Sequence, residues 1–314
     1  MKIVILGKGD MLANLIEGTL DAKCTIAGVF RYERTTFSKI KLFFYDFFKP
    51  SNDLTLIKKL KIHELTCTSA NSEEFKKEIL KLNADIILVG SWGEKLSKET
   101  INLPKIATVN VHPSYLPQYR GPNPYLQTIW HQESNSGITF HLMDENFDTG
   151  AIVAQQKIKI YPGDTGKELK ERTLFQARLM VSEVLKKLEY GIVIPVAQDE
   201  TKATYFKNIK PVDMMLDFQK ETAEEICAHI RAFHPWCPCY VTYKNDFFIP
   251  NPYNLKIIDS TKPNIGAIID KNVKNKSITV QCQNNKAIVM DNVKIYGFLK
   301  SPYTKYFISK IKCV

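Results

Sequence analysis

The chain has 314 residues, 44% apolar and 24% charged, which suffices for two packed domains and excludes a disordered or fibrous protein. It contains no run of about 18 apolar residues, so no membrane span is expected, and its seven scattered cysteines do not make a disulfide framework. The net charge of +10 is uneven: residues 240–314 hold 12 lysines against 4 aspartates, a local net of +8, which suits either a polyanionic partner or a lysine-rich solubilising surface.

The first apolar run is short and ends in Gly7-Lys8-Gly9-Asp10. Its length predicts a buried strand over 2–6 rather than a secretory segment, and with no targeting segment a cytoplasmic protein is expected. Leu12 stands where a dinucleotide fingerprint needs its third glycine, and Gly9 follows Lys8 where a phosphate loop needs Ser or Thr. The segment is therefore read as a tight turn into a helix over 11–20. A strand over 24–30, a helix over 73–82 and strands over 85–89 and 108–111 follow. Apolar runs alternating with amphipathic helices predict an α/β, Rossmann-like, mostly parallel sheet, with its site at the carboxyl ends of the strands. The run Phe43-Phe44-Tyr45-Asp46-Phe47-Phe48 is expected to pack in the core, with stacking on a base or sugar as the alternative. Strands over 137–143 and 151–160 are predicted to pair antiparallel around an Asp148 loop. A helix over 169–190, closed by Gly191, comes next.

The catalytic domain is expected over 1–191, a linker over 192–210 and a second domain over 211–314. After a helix over 223–232, short β runs fall at 239–243, 253–258, 265–269, 277–281, 287–290 and 293–298. Their Asn, Gly and Lys turns predict a small OB-like β-barrel. Cys237-Pro238-Cys239 is the one close cysteine pair; no second pair completes a ligand set, so no metal is expected.

The chemistry is concentrated between Asn110 and Gly150. The stretch contains Asn110-Val111-His112-Pro113-Ser114, then Leu116-Pro117 and Arg120-Gly121, then Asp148-Thr149-Gly150. Acyl transfer to an amine builds negative charge on an oxygen and moves protons between nitrogens. Asn110 supplies an amide donor for that oxygen, His112 carries a proton, and Asp148 orients or charges the imidazole. Singly, each residue has an ordinary reading as a turn or surface residue. Together, in this spacing, they point to a catalytic trio. His141, alternating with Phe140 and Leu142, is placed as a structural or substrate-side residue. Ser-His-Asp hydrolysis is set aside, because no Gly-x-Ser-x-Gly elbow occurs and Ser114 follows His112 too closely.

These residues resemble the signature of the folate-dependent formyltransferases: Asn-x-His at 110–112, Ser-x-Leu-Pro-x-x-x-Gly at 114–121 and Asp-Thr-Gly at 148–150. The resemblance implies transfer of a formyl group from the co-substrate 10-formyltetrahydrofolate to an amine, with the trio in the same three roles. It implies a folate site near Leu88, Val89 and Gly90 and in the loop of Met143, Asp144 and Glu145 to Asp148. Ser114, Arg120, Gly121, Arg31 and Arg34 are placed on the acceptor side.

Farther on, Gln198-Asp199-Glu200, Ala203-Thr204-Tyr205 and the stretch from Ile230 to Trp236 are similar to the linker and second domain of family members that formylate methionyl-tRNA. There a small basic barrel holds tRNA phosphates, so the resemblance implies tRNA as partner of the lysine-rich second domain. His234 stands where the family has Asn, and the first turn departs from the family's Gly-Thr-Pro. The segment from Phe30 to Phe37 keeps Arg31 and Arg34 but lacks the Gly and Pro of the family's basic loop. These departures leave a nucleotide-linked amino sugar open as the acceptor. A catalytically degenerate tRNA- or folate-binding chain is the non-enzymatic reading.

Overall fold

β1 (Lys2–Gly7), β2 (Thr25–Arg31), β3 (Ile86–Gly90), β4 (Ala107–His112), β5 (Asn135–Leu142) and β6 (Ile152–Lys159) form one sheet in the order β2-β1-β3-β4-β5-β6. The computed structural model of the protein describes residues 1–48, 50–295 and 301–313. These fall into two compact units, one of Met1–Pro122, Ser136–Ile158 and Glu171–Phe206, the other of Asn123–Asn135, Lys159–Lys170 and Lys207–Val314.

In the first unit β1 pairs in parallel with β2 and β3, and β3 with β4; β4 and β5 are antiparallel. β1 and β3 are central, so both their faces are covered. Ile3, Val4, Ile5, Leu6, Ile86, Ile87 and Leu88 have no exposed surface, which is why these strands read as unbroken apolar runs. The turn at Gly7 to Asp10 is as tight as expected: β1 ends at Gly7 and α1 (Gly9–Asp21) starts two residues later. The β2 edge is covered by residues 63–65, with Val29 N–H donating to His63 O and Leu65 N–H to Val29 O.

After β2 the chain forms α2 (Glu33–Thr36), α3 (Lys39–Phe48) and α4 (Asn52–Leu60) before α5 (Glu73–Leu82). The aromatic run of α3 is not core. Only Leu42 of that helix is buried, while Phe43, Phe47 and Phe48 are 65%, 69% and 70% exposed. The helix is attached by its other face, where Asp46 takes both ends of the Arg31 guanidinium. A short helix, α6 (Lys98–Ile101), precedes β4.

In the second unit α7 (Pro124–Trp130) packs against α9 (Ala223–Phe233), and the Trp130 ring stacks on His229 at 4.5 Å. Between them in sequence, α8 (Gly166–Glu189) starts three residues before its expected start. Thr165 N–H donates to Glu168 Oε2 at 2.9 Å, a side-chain cap that moves the start forward. α9 begins with the same device, Thr222 and Glu225 forming a capping box.

The remaining strands are β7 (Val241–Tyr243), β8 (Asp246–Ile249), β9 (Leu255–Asp259), β10 (Ile268–Asn272), β11 (Ser277–Gln281), β12 (Lys286–Met290) and β13 (Lys294–Ile295), followed by α10 (Ser301–Lys310). They make two antiparallel sheets, β10-β11-β12-β9 and β13-β8-β7. Among the described residues no pairing joins the two sheets into a closed ring, so the expected barrel is not confirmed. The unforeseen β8 forms a hairpin with β7, turning at Lys244 with φ 53°. The strand expected over 253–258 starts at Leu255, because Asn254 N–H turns back to Asn251 O. The strand expected over 265–269 is β10, and that over 293–298 lies partly outside the described residues. Among the described residues no helix is long and apolar enough to cross a membrane.

Candidate active site

The register of β4 against β5 builds the site. Asn110 stands opposite His141, and His112 opposite Thr139. Residues two apart on a strand share a face, so these four side chains project to one side of the sheet near its carboxyl edge. Asp148 reaches the same place from the loop after β5, with φ 60°.

The Asp148 carboxylate is the hub. Oδ2 accepts from Gly121 N–H at 2.9 Å. Oδ1 lies 3.3 Å from His112 Nδ1, 3.4 Å from Asn110 Nδ2 and 3.8 Å from His141 Nε2. Burial pushes this carboxyl up, but the facing His112 and the Gly121 amide outweigh it and hold the group down at about 2. At neutral pH it is a charged carboxylate in a nearly dry place.

The other bonds set ring orientations. His112 Nε2 lies 2.9 Å from Tyr119 O, a pure acceptor, so Nε2 carries hydrogen. His141 Nδ1 lies 2.8 Å from Leu142 O and carries hydrogen by the same reasoning, which leaves Nε2 to accept from Asn110 Nδ2 at 3.0 Å. One Asn110 N–H is thus well held and the other makes only the long contact to Asp148. Sequence reasoning left His141 outside the trio. Its alternation with Phe140 and Leu142 gave its face, but the register that sets it opposite Asn110 has no local signal.

Two glycines make the loops possible. Gly121 has φ 94°, and a Cβ there would lie 2.3 Å from Phe206 O. A Cβ at Gly150 would lie 1.8 Å from Leu142 O. Both are close backbone approaches that no side chain permits.

The residues expected on the acceptor side are placed differently from one another. Gly121 is in the site, through its N–H. Ser114 is fully buried and donates Oγ–H to Gln118 O at 2.7 Å, so it braces the loop. Arg120 is turned to Gln198 and Glu200. Arg31 has no exposed surface and pairs with Asp46 at 2.6 Å and Glu64 at 2.8 Å; Arg34 shares Glu64 at 2.6 Å. The charge of Arg31 is occupied inside the fold, attaching α3 and the 63–65 segment to β2.

The expected co-substrate residues also separate. Leu88, Val89 and Gly90 are mid-sheet, paired to β1 and β4, so their main-chain groups are in the ladder. The open main chain begins at Ser91, φ 56° and exposed. Met143 is partly buried against the core cluster of Val4, Leu6, Phe30 and Val89, while Asp144 and Glu145 are exposed. Lys95 Nζ sits 5.7 Å over the Phe147 ring, so the loops after β3 and β5 meet.

Amide, imidazole and carboxylate thus converge around the Asp148 carboxylate. Residues 1–185 match the formyl transferase family and residues 208–307 the formyl transferase C-terminal domain. The chain belongs to the formyl transferase family. The chain is 40% identical over 156 residues to the methionyl-tRNA formyltransferase of Synechococcus sp. (strain JA-3-3Ab), an alignment covering 50% of the chain and 48% of that protein. It is 31% identical over 243 residues to the methionyl-tRNA formyltransferase of Lachnospira eligens, covering 77% of the chain and 75% of that protein. Among solved structures, the N-formyltransferase of Helicobacter canadensis, in complex with folinic acid and dTDP-3-aminofucose, shares the fold. Its TM-score is 0.64 at 17% identity, covering 93% of this chain and 99% of that one.

Proposed function

We propose that this formyl transferase moves the formyl group of 10-formyltetrahydrofolate to the amino group of methionyl-tRNA, using Asn110, His112 and Asp148. The observation that carries the chemistry is the Asp148 carboxylate, held charged against both His112 and Asn110. The donor supplies an activated one-carbon unit, and the exposed main chain after Gly90 together with the loop from Met143 to Asp148 offers a cleft edge for its ring system.

The acceptor nitrogen bonds to the formyl carbon, the old carbon–nitrogen bond breaks, and one proton passes from the attacking to the leaving nitrogen. Asn110 keeps one N–H on His141, and the other, which makes only the long contact with Asp148, is the donor for the oxygen that becomes negative. A well-placed donor of this kind contributes about 3–4 kcal/mol. His112, with its Nε2 hydrogen held on Tyr119 O, takes the proton at Nδ1, where the Asp148 carboxylate at 3.3 Å stabilises the positive charge the ring acquires.

Two observations support tRNA as the acceptor. Relatives aligned over most of the chain are methionyl-tRNA formyltransferases. Residues 240–314 carry a net +8, suited to phosphates without base reading. In this reading residues 211–314 form the phosphate-holding domain and the protein works in the cytoplasm.

Formylation of charged initiator tRNA is compared with a panel of nucleotide-linked amino sugars at two salt concentrations. Turnover of tRNA is expected, with log K falling by roughly 0.7–0.9 per phosphate contacted for each decade of salt. Salt-insensitive turnover of a sugar, with none of tRNA, overturns the acceptor and leaves the catalytic reading standing.

A further inference from the structure

Residues 196–206 supply none of the reacting groups, yet they run along both loops that make the site. Val196 and Ile152 exchange backbone hydrogen bonds at 2.8 and 2.9 Å, which lays this segment beside the Asp148 turn. Two residues later, Gln198 Nε2 donates to Asp148 O and to Gly150 O, each at 2.8 Å. Its Oε1 accepts from Arg120 Nε at 3.2 Å and Nη2 at 2.7 Å. Glu200 takes the remaining edge of the guanidinium at 2.9 and 2.6 Å.

Arg120 sits between the two residues that grip the catalytic groups. Tyr119 O takes His112 Nε2, and Gly121 N–H donates to Asp148 Oδ2. The main chain of Arg120 is itself held by residues 204 and 206, its N–H donating to Thr204 O at 2.9 Å and its O accepting from Phe206 N–H at 3.0 Å. Asp148, at φ 60°, is a non-glycine residue in the left-handed region, which persists only where neighbours determine it.

We infer that Gln198, locked by Arg120, is a positioning residue for formyl transfer: one amide fixes the Asp148 turn on its donor side and the Tyr119–Gly121 loop on its acceptor side. The inference rests on the proposed roles of His112 and Asp148. It requires an amide at 198, because both ends are used with opposite polarity. A carboxylate of the same shape keeps the Arg120 bonds but faces two carbonyl oxygens with no hydrogen to give.

The test is Gln198→Glu, with Gln198→Asn as the amide control, in the full chain. kcat of Gln198→Glu is expected to fall about tenfold or more, with the donor KM changed less than about threefold. The melting temperature is expected to stay within a few degrees of wild type, and Gln198→Asn is expected to recover part of the loss. A substrate-free readout runs in parallel. The Gly121 amide resonance follows the Asp148 carboxylate it bonds, and its pH midpoint is expected to rise by about half a unit or more in Gln198→Glu. Unchanged kcat and an unchanged midpoint overturn the inference, as does an activity loss that merely follows the unfolded fraction. Wild-type protein with no formyl transfer sinks the functional reading instead, while the Gly121 midpoint still tests the positioning.

Discussion

Asn110 and His141 face each other across the β4–β5 pair, with Asn110 Nδ2 3.0 Å from His141 Nε2. The histidine holds the amide with its nitrogen toward the carboxylate and so fixes the direction of the second N–H, which makes only a long contact to Asp148. His141→Ala is expected to let the Asn110 amide rotate, lowering kcat by about tenfold or more while the donor KM stays nearly constant. Steady-state kinetics over both substrates checks this; wild-type kcat in the variant contradicts it.

Asp148 should leave its mark on acid stability. Its folded value of about 2 lies below the ordinary aspartate value of about 3.9. The group therefore contributes stability that is fully present above about pH 4 and is lost as pH falls through about 2. Asp148→Asn is expected to flatten the fall in unfolding free energy over that interval. Denaturant titrations at several acid pH values measure it, and identical slopes in wild type and variant contradict the assignment.

Glu33 works in the opposite sense. Burial pushes its carboxyl up, Asp53 adds to the rise, and its own backbone, Arg31 and Lys8 oppose it; Oε2 is buried with no partner. A raised carboxyl is most compatible with folding while protonated, so stability is lost as pH rises above the ordinary glutamate value of about 4.3. Glu33→Gln is expected to exceed wild type in stability at pH 8, with the difference shrinking toward pH 4.5. Urea melts at the two pH values decide it: a difference that does not depend on pH is the contrary result.

Gly150→Ala forces a methyl group against Leu142 O, where the Cβ would stand 1.8 Å away. The backbone must move and carry Asp148 with it, at a cost of about 1–3 kcal/mol. Lower stability and lower kcat together are expected, from melts and kinetics on one preparation; loss of neither contradicts the close approach.

The sequence was legible where structure is local. The central strands are apolar runs because both faces are buried, and the segments holding Asn110, His112 and Asp148 declare themselves through fixed spacings beside Pro and Gly. What it concealed is long-range pairing. His141 joins Asn110 through strand register. Arg31 and Arg120 look like free cations until Asp46, Glu64, Gln198 and Glu200 arrive from 15 to 80 residues away. The α3 aromatics suggested core, but that helix is attached to the fold by an ion pair on its other face.

The central claim is that Asn110, His112 and Asp148 act together in formyl transfer. The most direct measurement is single-turnover transfer from saturating 10-formyltetrahydrofolate to methionyl-tRNA, in wild type and in Asn110→Ala, His112→Ala and Asp148→Ala, with folding verified by melting temperature. The expected result is a fall of about a hundredfold or more in each folded variant, with the losses far from additive in the triple variant. Near wild-type transfer by any one of the folded variants contradicts the account.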